Sequence, residues 1–267
     1  MENYLNLFDS FNKCIVYDFN VGDGGIGDCI KFFLYGLTLC MKHNLKIYYK
    51  VNNAPIERFL KLKHNFMYIQ QDKINRKRCL VMKKENFDNL KQFNVVKPWV
   101  FYEKFSENEI KIINASDIFY FSQEVIDNVS NIIELKCDYI SFHIRLGDKF
   151  LETDKSFVNP NCLEDIRPFS EETLFELLQK NKEKKIVLFC DNKEYKQTVC
   201  KKFSNIMITT AEIGHTDFKN TTEKQFLDTI TEFYILCNSS VIYAVSRSGF
   251  SYVASLFGNA SLINLYE

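Results

Sequence analysis

Four short stretches of the 267-residue chain bring together residue types at spacings that suit a charged ligand. In the first, "GDGGIGD", Gly22, Gly24 and Gly27 fall in G-x-G-x-x-G spacing directly after the apolar run Cys14 to Phe19. Glycines between a strand and a helix let backbone amides and the helix dipole come close to an anion or a substrate. The dinucleotide version of this turn also wants an acid about twenty residues on, where the next strand ends, to hold ribose hydroxyls. That strand, "LKIYYKVNN", ends in Val51, Asn52 and Asn53 instead, which argues against an NAD-dependent oxidoreductase. Asp28 closes the turn at the helix start, either as an ionised group held by helix amides or as a plain charge complementing the dipole.

The second stretch, "FHIRLGDKFLETD", runs from Phe142 to Asp154. His143 and Arg145 share one face of a strand because side chains alternate with period two. Arg145 can offer its planar fork to a diphosphate, or it can pair locally with Asp148, leaving His143 as a core histidine. In the third, "LFCDNKEY", Asp191 ends a strand and opens a helix, a place for a ribose or base contact and equally for a helix cap. The fourth, "AVSRSGFSYVASLFG", crowds Ser246, Ser248, Gly249 and Ser251 at a helix start, where hydroxyls and amides can receive an anion. "EIGHTDF" adds His215 and Asp217 before a further helix, as donor or acceptor contacts or as surface residues.

The elements needed to position these groups follow from hydrophobic periodicity. In the second half, "DYISFHI", "KKIVLFCD", "NIMITTAE", "VIYAVS" and "SLINLY" read as strands. Between them come helices at "SEETLFELLQKNK", "NKEYKQTVCKKF", "TEKQFLDTITEFYILCNS" and "SGFSYVASLFGN". The first half is similar but less regular: "CIVYDF", the glycine turn, a helix to about Asn44, "LKIYYKV", a helix at "PIERFLKL", strands near Met67, "RCLVMK" and "DIFYF", and a closing helix "SQEVIDNVSNIIEL". Such alternation predicts an α/β protein with parallel sheets. The economical arrangement is two Rossmann-like, doubly wound domains facing across a cleft, residues 1–135 and 136–267. Ligands of such sheets bind beyond the C-terminal strand ends, where the four stretches lie.

Composition narrows the partners. Lys plus Arg and Asp plus Glu both number 34, so no overall field favours nucleic acid. Nine cysteines occur without a C-x-x-C, mostly in apolar runs as at Cys40, Cys190 and Cys237, the pattern of buried thiols in a reducing compartment. With no basic leader segment and no run of eighteen apolar residues, the expected setting is cytoplasmic, without a membrane span. No His/Cys ligand spacing and no D-x-D at a strand end suggests a metal, and no cofactor is expected.

The motifs then resemble those of the GDP-fucose-dependent fucosyltransferases, the α1,2, α1,6 and protein O-fucosyl families, which have a GT-B-like fold. "HIRLGD" is similar to their H-x-R-x-G-D or H-x-R-R-x-D motif, "LFCDN" to an S/T-D-D segment, "SRSGFSYVASL" to a late S-x-F-S-x-x-A segment, and "GGIGDC" to an N-terminal G-G-x-G-N-Q. All four occur in the family's order. The resemblance implies that Arg145 holds the donor diphosphate, that Asp191 helps bind the nucleoside, and that Ser248, Gly249, Phe250 and Ser251 line the phosphates; His143, Asp148 and Ser246 are further donor-binding candidates. Residues 136–267 would then bind a nucleotide sugar. Gly24, Gly25, Gly27 and Asp28 would lie on the side of the glycan acceptor, in residues 1–135. Three departures stand out: Asp28 replaces Asn, as in the G-x-x-G-D of heptosyltransferases; a single acid stands at Asp191; and Leu146 occupies the place of the second arginine.

The expected activity is inverting, metal-independent glycosyl transfer, with fucose from GDP-fucose as first choice. Asp28 is the first candidate base, followed by Glu152, which trails the arginine motif, and Asp23. Arg145 would stabilise the leaving diphosphate. Other GDP-, UDP- or dTDP-sugars, and a module that binds nucleotide sugar or glycan without catalysis, remain compatible with the sequence.

Overall fold

The computed structural model describes residues 1–50, 55–74, 79–82, 89–102, 105–111, 113–135, 138–152, 154, 166–217, 219–258 and 260–266. The chain divides into two compact units, Met1–Tyr120 and Phe121–Glu267. Asn52 and Asn53 lie outside the described residues.

The first unit is built on a five-stranded parallel sheet. In chain order its strands are β1 (Cys14–Tyr17), β2 (Lys46–Lys50), β4 (Tyr68–Ile69), β5 (Cys79–Val81) and β6 (Phe93–Val96), arranged 4-2-1-6-5; β3 (Leu60–Leu62) pairs with β7 (Phe119–Phe121) in a separate ribbon. All four residues of β1 are buried, as befits a central strand covered on both faces. The helix Ile26–His43 follows the glycine turn, and its buried residues include Ile30, Phe33, Leu34 and Leu37. It ends at Asn44 in the left-handed conformation, φ 53°. Two local readings differ from expectation. "PIERFLKL" forms a helix only over Ile56–Phe59 and then becomes β3, because Leu60 and Leu62 are buried on either side of a half-buried Lys61, a period of two. Strand β6, which the sequence does not announce, has Asn94 in the middle of its apolar run. That side chain is fully buried and donates to the carbonyls of Cys14 and Lys91, so a polar residue is satisfied inside the sheet.

The second unit carries a parallel sheet of β8 (Ile140–Ile144), β9 (Ile186–Cys190), β10 (Ile206–Ile208), β11 (Val241–Ala244) and β12 (Ser261–Asn264), in the order 10-9-8-11-12. Its helices are Gln123–Ile132, Glu171–Lys180, Lys193–Lys202, Glu223–Cys237 and the short Gly249–Ala254. Ile140, Phe142, Ile144, Leu174, Leu178, Ile186 and Leu188 form the centre of one core layer. A buried Lys196–Glu232 pair at 3.3 Å, with the Thr209 hydroxyl on the same carboxylate, joins two of the helices to the end of β10. The unit begins before the boundary expected after residue 135. The helix Gln123–Ile132 belongs with this sheet because Asn128 Nδ2 donates to Asp228 Oδ1 and Thr231 Oγ1, both at 3.1 Å, and Thr210 N donates to the Ile132 carbonyl.

Candidate functional site

In the second sheet the first strand, β8, is central: β9 and β10 lie to one side, β11 and β12 to the other. The chain therefore changes direction between β8 and β11, and the C-terminal ends of these two strands flank a topological switch point, the place where doubly wound sheets bind ligands. Arg145 follows β8 and Ser246 follows β11. Ser246 Oγ accepts from Arg145 N at 2.7 Å and donates to the Arg145 carbonyl at 2.8 Å, tying the two ends together.

Immediately after Arg145 the backbone turns at Gly147, whose φ of 138° is costly for a residue with a Cβ. The turn brings Asp148 back onto Arg145 Nη2, while Arg145 Nη1 lies 3.1 Å from Asp191 Oδ2. Asp191 accepts in addition from the amides of Leu146 at 2.8 Å and Gly147 at 2.9 Å. Burial pushes its carboxyl up, and the Arg145 charge and these two amides oppose that shift. His143 sits behind them, stacked on Phe250 with ring centres 5.3 Å apart. It is buried, its Nδ1 has no hydrogen-bond partner, and its pKa is held down to about 3. Burial is the larger cause, and the charges of Arg145 and Arg167 add to it. The imidazole is therefore neutral at physiological pH.

His215 joins the same cluster, with Nε2 4.0 Å from Asp148 Oδ1. Its Nδ1 accepts from Asp217 N at 3.1 Å. Arg167 lies alongside: its amide donates to the Leu146 carbonyl at 3.1 Å, and its Nη1 donates to the Arg247 carbonyl at 2.6 Å.

The first unit also puts its first strand at the centre of the sheet, although its last two strands are in the reverse order. Strand β1 is central, with β2 and β6 on opposite sides, so the glycine turn after β1 and Lys97 after β6 flank a second switch point. Here carboxylates and ammonium groups alternate. Asp18 pairs with Lys50 at 3.0 Å and Lys97 at 3.4 Å, and Lys97 also reaches Asp23 at 2.9 Å. Asp23 Oδ2 accepts from the backbone amide of Asn20 at 2.8 Å and from its Nδ2 at 3.2 Å. Gly24, with φ 122°, lies against Asp28: a Cβ there would stand 2.8 Å from Asp28 Oδ2. Asp28 pairs with Lys31 at 2.6 Å, one helical turn on, and keeps about a third of its side chain exposed.

No protein-family model matches the chain, and no curated protein matches it by sequence. Solved structures do match its fold. The NodZ alpha-1,6-fucosyltransferase soaked with GDP-fucose superimposes with a TM-score of 0.57, covering 92% of this chain and 93% of that one at 11% identity. A mutant of Arabidopsis thaliana FUT1 in complex with GDP gives 0.58, with 99% and 74% covered at 13% identity. POFUT1 in complex with GDP gives 0.51, with 95% and 99% covered at 9% identity. The fold is fucosyltransferase-like.

Within that fucosyltransferase-like frame the candidate residues fall into three groups. His143, Arg145, Asp148, Asp191, Ser246 and His215 meet at one switch point. Asp191 does not cap the following helix; Asn192 does, accepting from Tyr195 N at 2.9 Å. Both oxygens of Asp191 face the Arg145 turn, so it holds that turn rather than reaching outward. The serine hydroxyls are likewise engaged internally: Ser248 caps Gly249–Ala254 through Phe250 N, and Ser251 donates to the Ser248 carbonyl. Each of these hydroxyls therefore already has a partner within the protein. Glu152 belongs elsewhere, with Oε2 accepting from Ile213 N at 3.1 Å and Lys193 3.8 Å away. Sequence reasoning overlooked Asp18, Lys97 and Arg167. The first ends a strand that was recognised; the second follows the strand that was not; the third stands alone between two prolines' reach of a long polar segment and carries no motif. Among the described residues no group of three His, Cys, Asp or Glu side chains is arranged to hold a metal ion, and no described helix is long and apolar enough to cross a membrane.

Proposed function

We propose that the protein is an inverting glycosyltransferase that moves a sugar from a nucleotide diphosphate to a hydroxyl of a glycan acceptor, with GDP-fucose as the preferred donor. The observation that carries this reading is Arg145, fixed at the switch point of a fucosyltransferase-like fold by Asp148, Asp191 and Ser246. A guanidinium held by its own carboxylates costs little reorganisation when charge develops on a departing diphosphate. The second unit takes the donor role and the first the acceptor role.

In the transfer, Asp28 accepts the acceptor hydroxyl proton as that oxygen attacks the anomeric carbon. The bond from that carbon to the diphosphate oxygen breaks, and the electron pair leaves with the nucleotide diphosphate, whose charge Arg145 stabilises. Asp28 is preferred over Asp23 because Asp23 is engaged by Asn20 and Lys97, whereas Asp28 stands more open at the turn. Glu152 is tied to the Ile213 backbone and is assigned no part. The setting proposed is cytoplasmic, with no metal and no cofactor in the step.

The test is a thermal-shift panel with GDP, UDP, ADP, dTDP and NAD, followed by GDP-fucose hydrolysis with and without EDTA. Stabilisation by GDP and EDTA-resistant hydrolysis are expected. A shift with UDP or dTDP alone changes the sugar, a shift with NAD alone refutes transfer, and binding of GDP without turnover indicates a binding module.

A further inference from the structure

The first unit exposes two large aromatic side chains directly after β6. In the 3-10 helix Pro98–Phe101, Val100 and Phe101 are buried, whereas Trp99 is 53% exposed and Tyr102, which ends the helix, is 69% exposed. Phe101 anchors the helix against Tyr35, with ring centres 5.6 Å apart. Residues three apart eclipse on a 3-10 helix, and Tyr102 N donates to the Trp99 carbonyl at 3.2 Å. The two exposed rings therefore stand on one face, a single turn apart.

We propose that Trp99 and Tyr102 form an acceptor subsite, a platform on which a pyranose ring of the acceptor glycan lies; the inference rests on the glycosyl-transfer reading above. Two tethers place this face beside the glycine turn. At its start, Lys97 immediately precedes the helix and bonds Asp23 of that turn at 2.9 Å. At its end, Lys31 Nζ lies 5.8 Å from the centre of the Tyr102 ring, and the same ammonium pairs with Asp28 at 2.6 Å. The buried Phe32 packs against Tyr102 with ring centres 5.6 Å apart and holds that ring in place. A pyranose has C–H groups on its face and hydroxyls around its rim. The C–H face suits the negative face of an aromatic ring, and the hydroxyls suit the charged Asp28 and Lys31 beside it. A lipid or an apolar peptide would cover those charges without bonding them, at a cost in free energy.

Trp99 is the only tryptophan of the chain, so its emission reports on this platform directly. The wild type, Trp99→Ala and Tyr102→Ala are applied to an array of defined neutral oligosaccharides, with thermal melting as the folding control. The strongest wild-type ligand is then titrated in solution while Trp99 emission is followed. A saturable change in emission is expected, with affinity weakened about tenfold or more in Tyr102→Ala and binding to the array lost in Trp99→Ala. Tyr102→Phe should recover most of the affinity, because it keeps the ring. No array ligand for the wild type, an unmoved Trp99 emission at saturation, or full binding by the folded Ala variants overturns the platform. So does a wild-type dimer that either Ala variant converts to monomer, which gives this face to a second copy of the chain. GDP binding to the wild type, measured in parallel, separates the two readings. If GDP binds and the platform fails, the transferase reading stands; glycan binding without GDP binding overturns the acceptor role together with the parent reading.

Discussion

Both sheets place their first strand at the centre with a switch point beside it, and they differ in the order of their last two strands and in the charge at that switch point. In the first unit the switch point carries Asp18 and Asp23 interleaved with Lys50 and Lys97, a compensated network around a glycine turn that leaves Asp28 the more accessible acid. In the second it carries Arg145, Arg167 and a neutral His143, with Asp148 and Asp191 holding one guanidinium in place. A sheet with its first strand at the centre therefore presents a carboxylate at its switch point in the first unit and a guanidinium at its switch point in the second. Under the proposed transfer, the first would take the proton of the acceptor hydroxyl and the second would meet the departing diphosphate. Topology says where ligands bind, and side-chain charge says which ones.

Substitutions test that contrast. Arg145→Ala should remove turnover, by about 10²–10³ or more, in a protein whose melting curve shows it folded; retained activity would show that the second edge does not do the work assigned to it. Asp28→Asn should lower kcat about 10²-fold or more with nucleotide affinity kept. A large loss of donor affinity instead would move Asp28 from chemistry to binding. Asp23→Asn, which disturbs the Lys97 pair, should have the smaller effect on kcat.

Stability effects come next in size. Lys97→Met leaves Asp18 and Asp23 without a shared partner and should cost the first unit about 2–3 kcal/mol, read as a shift in urea midpoint. Gly24→Ala should cost about 1–3 kcal/mol, because its φ is unfavourable and the new Cβ meets Asp28. Gly22→Ala, at φ 101° but in open space, should cost less and leave kcat closer to wild type. Equal effects of the two would mean that the contact with Asp28 is unimportant.

Two buried groups, His143 in the second unit and Glu57 in the first, should contribute to pH dependence with opposite sign. His143 is protonated more readily unfolded, near 6.5, than folded, near 3. The contribution of His143 to the second unit's stability should therefore fall as pH drops from 6.5 toward 3, by up to about 1.4 kcal/mol per pH unit, while the carboxyls of Asp191 and Glu232, pushed up by burial, act in the opposite sense. Glu57 in the first unit is pushed up to about 7 by burial, and its Oε1 has no partner. The folded first unit thus binds its proton more tightly, and Glu57 works against stability as pH rises from 4.5 to 7. Residue-resolved hydrogen exchange at pH 5 and pH 7 separates the two. His143→Phe should remove the part of the second unit's acid sensitivity that arises from this imidazole.

Much of the scaffold was legible because its signals are local. Cys14–Tyr17, Ile140–Ile144 and Ile186–Cys190 are fully buried strands, and continuous apolar runs between turns announce them. "HIRLGD" and the glycine turn were legible for a similar reason: a strand end, a glycine and a charged residue fall within a few positions. Strand β6 escaped because Asn94 interrupts its apolar run, and only the carbonyl of Cys14 on the adjacent strand explains that residue.

The amino-acid order alone determined the alternation of strands and helices, and with it which residues stand at strand ends, because period and turn chemistry act over a few residues. The partners of those residues were decided by the tertiary structure. Asp191 meets the Leu146 and Gly147 amides across 45 and 44 positions, Ser246 meets Arg145 across 101, and Lys97 meets Asp23 across 74. Strand order creates these meetings, and a single sequence read along its length does not display strand order. That is why the same Asp191 reads as a cap or a ligand contact in sequence and stands in the fold as the brace of the arginine turn.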